Sequence, residues 1–175
     1  MERKEIEPLT TRQILTCAMQ NEKAACETYC TIGESLQRAD NPVTAKIFFE
    51  ASKVEKGHFL KLQKVLYRLY GRFIGRATPL PEAAVCPSDF GDDWCVSEAK
   101  TDMSADEAIA FLEKAETGAE EYYRKAAEVT ERPDLKALFR NLASEEGRHV
   151  RAVKKVARRS QSRRLPSLAV TALAH

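Results

Sequence analysis

Apolar side chains recur at intervals of three and four along four stretches of the chain, roughly 10–39, 42–70, 104–130 and 134–160, in a background rich in Ala, Leu, Glu, Lys and Arg. That spacing lays one apolar stripe along each of four long helices, built from residues that lose little freedom in a helix. Local chemistry marks their ends. Asn41 stands as an N-cap before a first-turn proline, Pro42; Ser104 and Glu107 have the spacing of a capping box; Arg132 and Pro133 break the third stretch from the fourth.

The breaks after 39 and 130 are only a few residues long, so helices one and two, and helices three and four, are expected to fold back as antiparallel hairpins. Residues 71–103 join the hairpins, and Gly71, Gly75, Pro79, Pro81, Pro87 and Gly91 argue against a continuous helix there. A 27-residue helix is about 40 Å long, which at least about 12 extended residues can span. The linker is therefore long enough for a crossover along an all-α four-helix bundle, with Trp94 expected to pack on it. The bundle is expected over 1–160, with 161–175 as a C-terminal tail. Four arginines, Arg158, Arg159, Arg163 and Arg164, stand around the start of that tail and suit the end of helix four. Its apolar piece, Leu165 to Leu173, is too short to span a membrane.

Composition narrows the class. With 175 residues, 43% of them hydrophobic, the chain can build one domain with a real core. Lys plus Arg number 28 against 26 for Asp plus Glu, so no overall polybasic character points to nucleic acid or to an anionic membrane. The charged start MERKEIEPLT has no signal-like apolar run, and nowhere do eighteen apolar residues occur together, so a soluble, cytoplasmic protein is expected. The five cysteines, Cys17, Cys26, Cys30, Cys86 and Cys95, form no CxxC pair and read as reduced thiols.

The two halves repeat. Placing Glu55 over Glu146 aligns residues 48–58, FFEASKVEKGH, with residues 139–149, FRNLASEEGRH, and matches Phe48 to Phe139 and His58 to His149. On the preceding helices Glu22 stands seven residues before Tyr29, and Glu116 seven before Tyr123, nearly two turns in each case. Two of the chain's three histidines thus lie three residues after a glutamate at matching places, which puts a carboxylate and an imidazole on one helix face.

One Glu from each of two helices plus ExxH from each of the other two is the ligand set of di-iron carboxylate bundles. Four carboxylates in one apolar core repel each other and take up protons, and two divalent cations neutralise all four. In that arrangement Glu55 and Glu146 bridge the ions, Glu22 and Glu116 each cap one, and His58 and His149 each give a nitrogen. Oxygen-rich ligation with one imidazole per ion favours iron or manganese, singly or mixed. The competing view is that these are solvated charges on Glu-rich helices, as most helical glutamates are. Tyr29 and Tyr123 fit the core or hydrogen-bond donation to the ligands better than catalysis.

The motifs QNEKAACETY with Glu22, EKGH at 55–58, EKAETGAEEYY with Glu116 and EEGRH at 145–149 resemble the rubrerythrin branch of the ferritin-like superfamily over roughly residues 10–160. The resemblance implies a ferritin-like bundle and two iron ions that reduce hydrogen peroxide. Other branches oxidise ferrous iron or activate dioxygen. Such proteins usually add a rubredoxin-like module with paired CxxC motifs, and no such pair occurs here, so a separate electron-donor protein is expected. Their third helix also carries two ligating glutamates three apart. By the Tyr123 spacing Glu116 is the principal ligand and Ala119 takes the second place. By hairpin length Glu113 and Glu116 supply both, because Glu113 lies 33 before Glu146 as Glu22 lies 33 before Glu55. Whether Glu113 or Glu120 adds a ligand stays open.

Three functions remain: an oxidoreductase acting on peroxide or dioxygen, ferrous iron binding and oxidation for storage or delivery, and a metal-free interaction bundle. A homo-oligomer, most simply a dimer, is expected. Cys26, one turn after Glu22, and Cys30 are expected to pack as small core thiols. Cys86, Cys95 and His175 are given no role.

Overall fold

The computed structural model describes residues 9–71 and 100–163, with only the backbone for 150 and 152–163. Within them lie four helices: α1 (Thr11–Arg38), α2 (Pro42–Tyr70), α3 (Ala105–Val129) and α4 (Pro133–Arg163). The capping box expected at α3 is present, with Ser104 Oγ accepting from Glu107 N and Glu107 Oε2 accepting from Ser104 N at 2.8 Å. Thr10 and Gln13 form a second one at α1, with Gln13 Oε1 accepting from Thr10 N at 2.8 Å.

Two ends differ from expectation. The Asn41 side chain makes no cap bond to α2; its Nδ2 donates instead to the Met103 carbonyl at 2.8 Å. A tertiary acceptor 62 residues away takes the side chain that local chemistry assigned to the helix end. Pro133 is the first residue of α4 rather than part of a break, a position where its missing N–H costs nothing. Arg132, just outside, forks onto the Asp134 carboxylate at 3.1 and 2.9 Å.

Helices α1 and α2 pack as one hairpin and α3 and α4 as another, as the short links require. Two apolar clusters fix how the hairpins meet. One joins Tyr29, Ile32 and Leu36 of α1 to Phe48 of α2 and Ile109 and Leu112 of α3. The other joins Leu15 of α1, Leu62 and Leu66 of α2, Tyr123 of α3, and Leu135 and Phe139 of α4. The start of α2 thus shares an end of the bundle with the start of α3, and the two run parallel. Tyr70 and Ala105 consequently lie at opposite ends, about 43 Å apart along a 29-residue helix. A connection along the bundle is therefore required. The crossover itself, with Trp94, Cys86 and Cys95, falls outside the described residues, as does the tail from 164.

Tyr29, Tyr123, Phe48 and Phe139 are each no more than 2% exposed. Burying each stabilises the fold by about 1.5–3 kcal/mol, and these contributions offset the cost of the polar layer between the clusters.

Candidate metal centre

Between the two apolar clusters every helix turns a carboxylate inward. Glu22 comes from α1, Glu55 from α2, Glu116 from α3 and Glu146 from α4, all 5% exposed or less. One turn beyond the last glutamate of each hairpin, His58 and His149 follow on the same face, as their three-residue spacing dictates. All six candidate ligands are thereby brought together. They form two groups whose oxygen and nitrogen atoms lie within 4.8 Å of one another: Glu22, Glu55, His58 and Glu146 in one, Glu116, Glu146 and His149 in the other.

Glu146 belongs to both groups and is fully buried. Its Oε1 lies 2.8 Å from His58 Nδ1 and its Oε2 3.2 Å from His149 Nδ1, so one oxygen serves each half. Glu55 lies in the first group, 3.4 Å from His58 Nδ1. Glu116 Oε2 reaches His149 Nδ1 at 3.2 Å, and Glu22 Oε2 lies 3.5 Å from His58 Nδ1. The imidazoles stack with centroids 5.6 Å apart.

Neither Glu113 nor Glu120 contributes to either group. Glu120 pairs with Arg124, and Ala119 occupies the place three after Glu116. The register conflict in the sequence has a simple origin. Both links are three residues long, but Arg38 lies 16 residues beyond Glu22 while Val129 lies 13 beyond Glu116. The extra residues are nearly one more turn of α1, so hairpin length misplaces the ligand and spacing to the tyrosine does not.

Proton affinities follow from crowding carboxylates in a dry core. Burial pushes Glu55 well above the usual carboxylate range, and Glu116 up to about 8, against the pull of the neighbouring imidazoles. Burial by itself would lower His149, but Glu116 and Glu146 hold it up at about 9. His58 is likewise lifted, burial being outweighed by Glu146, Glu22 and Glu55. Glu146, despite its burial, is held low by His149 and His58. Without a metal ion, protons would supply the positive charge that this layer demands.

Three buried atoms of the first group, Glu22 Oε2, His58 Nδ1 and Glu146 Oε1, have no hydrogen-bond partner. The close approach of His58 Nδ1 and Glu146 Oε1 is not aligned as a hydrogen bond. Leaving each such atom unpaired costs about 1–3 kcal/mol, so three converging on one point mark a place for a cation. Carboxylate oxygens with one imidazole per group suit iron or manganese.

A surrounding layer holds these groups in place. Tyr123 of α3 donates its hydroxyl to Glu22 of α1. Tyr29 of α1 is fully buried, and after burial the charge on Glu116 of α3 does most to hold its proton on. His58 Nε2 meets Glu145 Oε2 at 3.0 Å, which Lys61 Nζ also reaches at 2.6 Å. That bond fixes the tautomer that leaves Nδ1 facing the cluster. Sequence reasoning missed Glu145 and Lys61. The Glu145–Glu146 doublet was a faint signal for the first, and nothing local marks the second.

Cys26 is half-buried rather than a core thiol, and Ser52 Oγ donates to its carbonyl at 2.9 Å. Cys30 Sγ faces Glu34 at 3.8 Å. Cys17 is buried, and none of the three joins the candidate metal groups.

Two helix hairpins enclosing paired carboxylate and imidazole groups define the ferritin-like class of metal-binding bundles. Within that class the rubrerythrin family model matches residues 13–155, and again residues 106–169. The chain belongs to the rubrerythrin family. No curated protein and no solved structure matches it. Among the described residues no helix is long and apolar enough to cross a membrane.

Proposed function

We propose that this chain is a di-iron oxidoreductase of rubrerythrin type that reduces peroxide. The observation that carries the proposal is Glu146, a fully buried carboxylate with one oxygen turned to each imidazole. Glu22, Glu55 and His58 would hold one ion and Glu116 and His149 the other, with Glu146 shared. When bound, two ferrous ions supply the two electrons by which one peroxide and two protons become two waters.

The chain's own residues prepare the site. The apolar clusters above and below exclude bulk water and strengthen every electrostatic interaction between them. Tyr123 orients Glu22, and Glu145, braced by Lys61, orients the His58 ring. His149, whose side chain is 24% exposed against 3% for His58, is the open edge of the layer and the side from which a small substrate would reach it. Electrons return to the site from a separate reducing protein.

The test is to mix the reduced, iron-loaded protein with peroxide without oxygen and follow its oxidation optically. Fast oxidation, lost in Glu146→Ala and His58→Ala, is expected. A rate no greater than that of those variants would remove the peroxidase assignment. Rapid ferrous oxidation by dioxygen without peroxide turnover would move the chain to iron oxidation for storage or delivery.

A further inference from the structure

A groove of about 660 Å³ runs along the outside of the α3–α4 hairpin, within the ~300–1,000 Å³ of small-molecule sites. None of the six candidate metal ligands lines it. Arg124 of α3 and Lys136, Arg140 and Arg151 of α4 do. Inside the bundle Tyr123 stacks on Phe139 with centroids 6.2 Å apart. The residues that follow, Arg124 and Arg140, therefore leave the two helices at the same height, and both line the groove.

The balance of charge there is positive. Glu120 and Glu128 also line the groove, but Glu120 is committed to Arg124 and rests over Gly147, where an added Cβ would stand 3.0 Å from its Oε2. Among the described residues Lys136, Arg140 and Arg151 have no ion-pair partner. Arg124 and Arg140 bring two guanidiniums to one groove, the first already paired with Glu120 and the second with no ion-pair partner among the described residues, so an oxyanion there gains charge-assisted contacts, with the whole fork of Arg140 open to it.

We propose that this groove binds a phosphorylated small molecule, with a phosphate seated between Arg124 and Arg140. Lys136 and Arg151 stand about 22 Å apart along α4, so the row of cations outreaches one phosphate and favours a ligand carrying more than one. Glu128, at the Lys136 end, limits how far negative charge extends in that direction.

The test uses the purified full chain and three probes, inorganic phosphate, pyrophosphate and ATP, titrated calorimetrically at low salt and at about 0.15 M salt. Pyrophosphate and ATP are expected to bind saturably and more tightly than inorganic phosphate. Arg140→Glu, at an exposed position that does not endanger folding, should weaken them about tenfold or more. Arg140→Lys should weaken them severalfold, because it keeps the charge and loses the fork. Arg38→Glu, at the end of α1, should change nothing. Equal affinity for all three probes, lost in Arg140→Glu, would still place a phosphate between the arginines and identify the free ion as the ligand. Absence of saturable binding by every probe, or undiminished affinity in Arg140→Glu, would overturn the proposal. Neither outcome depends on the metal centre, whose content is measured separately.

Discussion

Removing the carboxylate of Glu145 tests whether His58 is held as a metal ligand. When Nδ1 gives its lone pair to a cation, the ring proton must sit on Nε2, and Glu145 Oε2, 3.0 Å away, is its acceptor. The imidazole is only 3% exposed, so Glu145→Ala strands a buried N–H, a loss of about 1–3 kcal/mol. Because the Glu145 side chain is 24% exposed, water can enter its place and restore part of the bond. The lower part of the range, about 1–2 kcal/mol, corresponds to a roughly five- to thirtyfold loss of affinity at 1.4 kcal/mol per tenfold. Lys61 is about half exposed, and its pair with Glu145 is worth at most about 1 kcal/mol, so Lys61→Met should cost less than about fivefold. Glu145→Gln, which keeps an acceptor oxygen, should fall between wild type and Glu145→Ala. The assay is competition for ferrous or manganous ion against a chelator of known affinity, without oxygen. Unchanged affinity in Glu145→Ala, or Lys61→Met as damaging as Glu145→Ala, would refute the reasoning.

Other perturbations have equally definite outcomes. In metal-free protein Glu116 and His149 bind protons more tightly folded than unfolded, so their stabilisation is complete at low pH and is lost as pH rises through about 8 and about 9. The chelated protein should therefore show a falling Tm from about pH 7 to about pH 9, a fall that metal loading removes; a flat or rising Tm would contradict this. Gly33→Ala should destabilise by about 1–3 kcal/mol in urea unfolding, since its Cβ would meet the Phe49 ring at 2.7 Å, whereas Gly147→Ala meets only the movable end of Glu120 and should be neutral within about 1 kcal/mol. Phe139→Ala, which empties a fully buried ring position beside Tyr123, should cost about 3–5 kcal/mol in the same assay.

The bundle was legible because its signals are local. Apolar spacing located the helix ends to within one residue, the only larger shift being α4, which runs to Arg163 rather than 160. The Ser104 box is likewise complete within four residues. The six inward-facing carboxylates and imidazoles stood out because the repeat placed each motif twice, and Tyr123 and Glu116 share one unbroken helix, which preserved the register that hairpin length disguised. What stayed hidden joins residues far apart in sequence. Asn41 finds Met103, His58 finds Glu145 87 residues on, and Arg124 and Arg140 line one groove that exists only once α3 and α4 pack. That Glu146 falls in both ligand groups also depends on how the hairpins dock, because the repeat makes it equivalent to Glu55.

The most direct test of the central claim is metal content. Protein purified without chelators, and again after anaerobic ferrous loading, would be compared with the Glu55→Ala, Glu146→Ala double variant by elemental analysis and optical spectrum. About two iron or manganese ions per folded chain, absent from the variant, are predicted. No bound metal in the wild-type chain even after loading would contradict the account and leave a helical bundle with an acidic core.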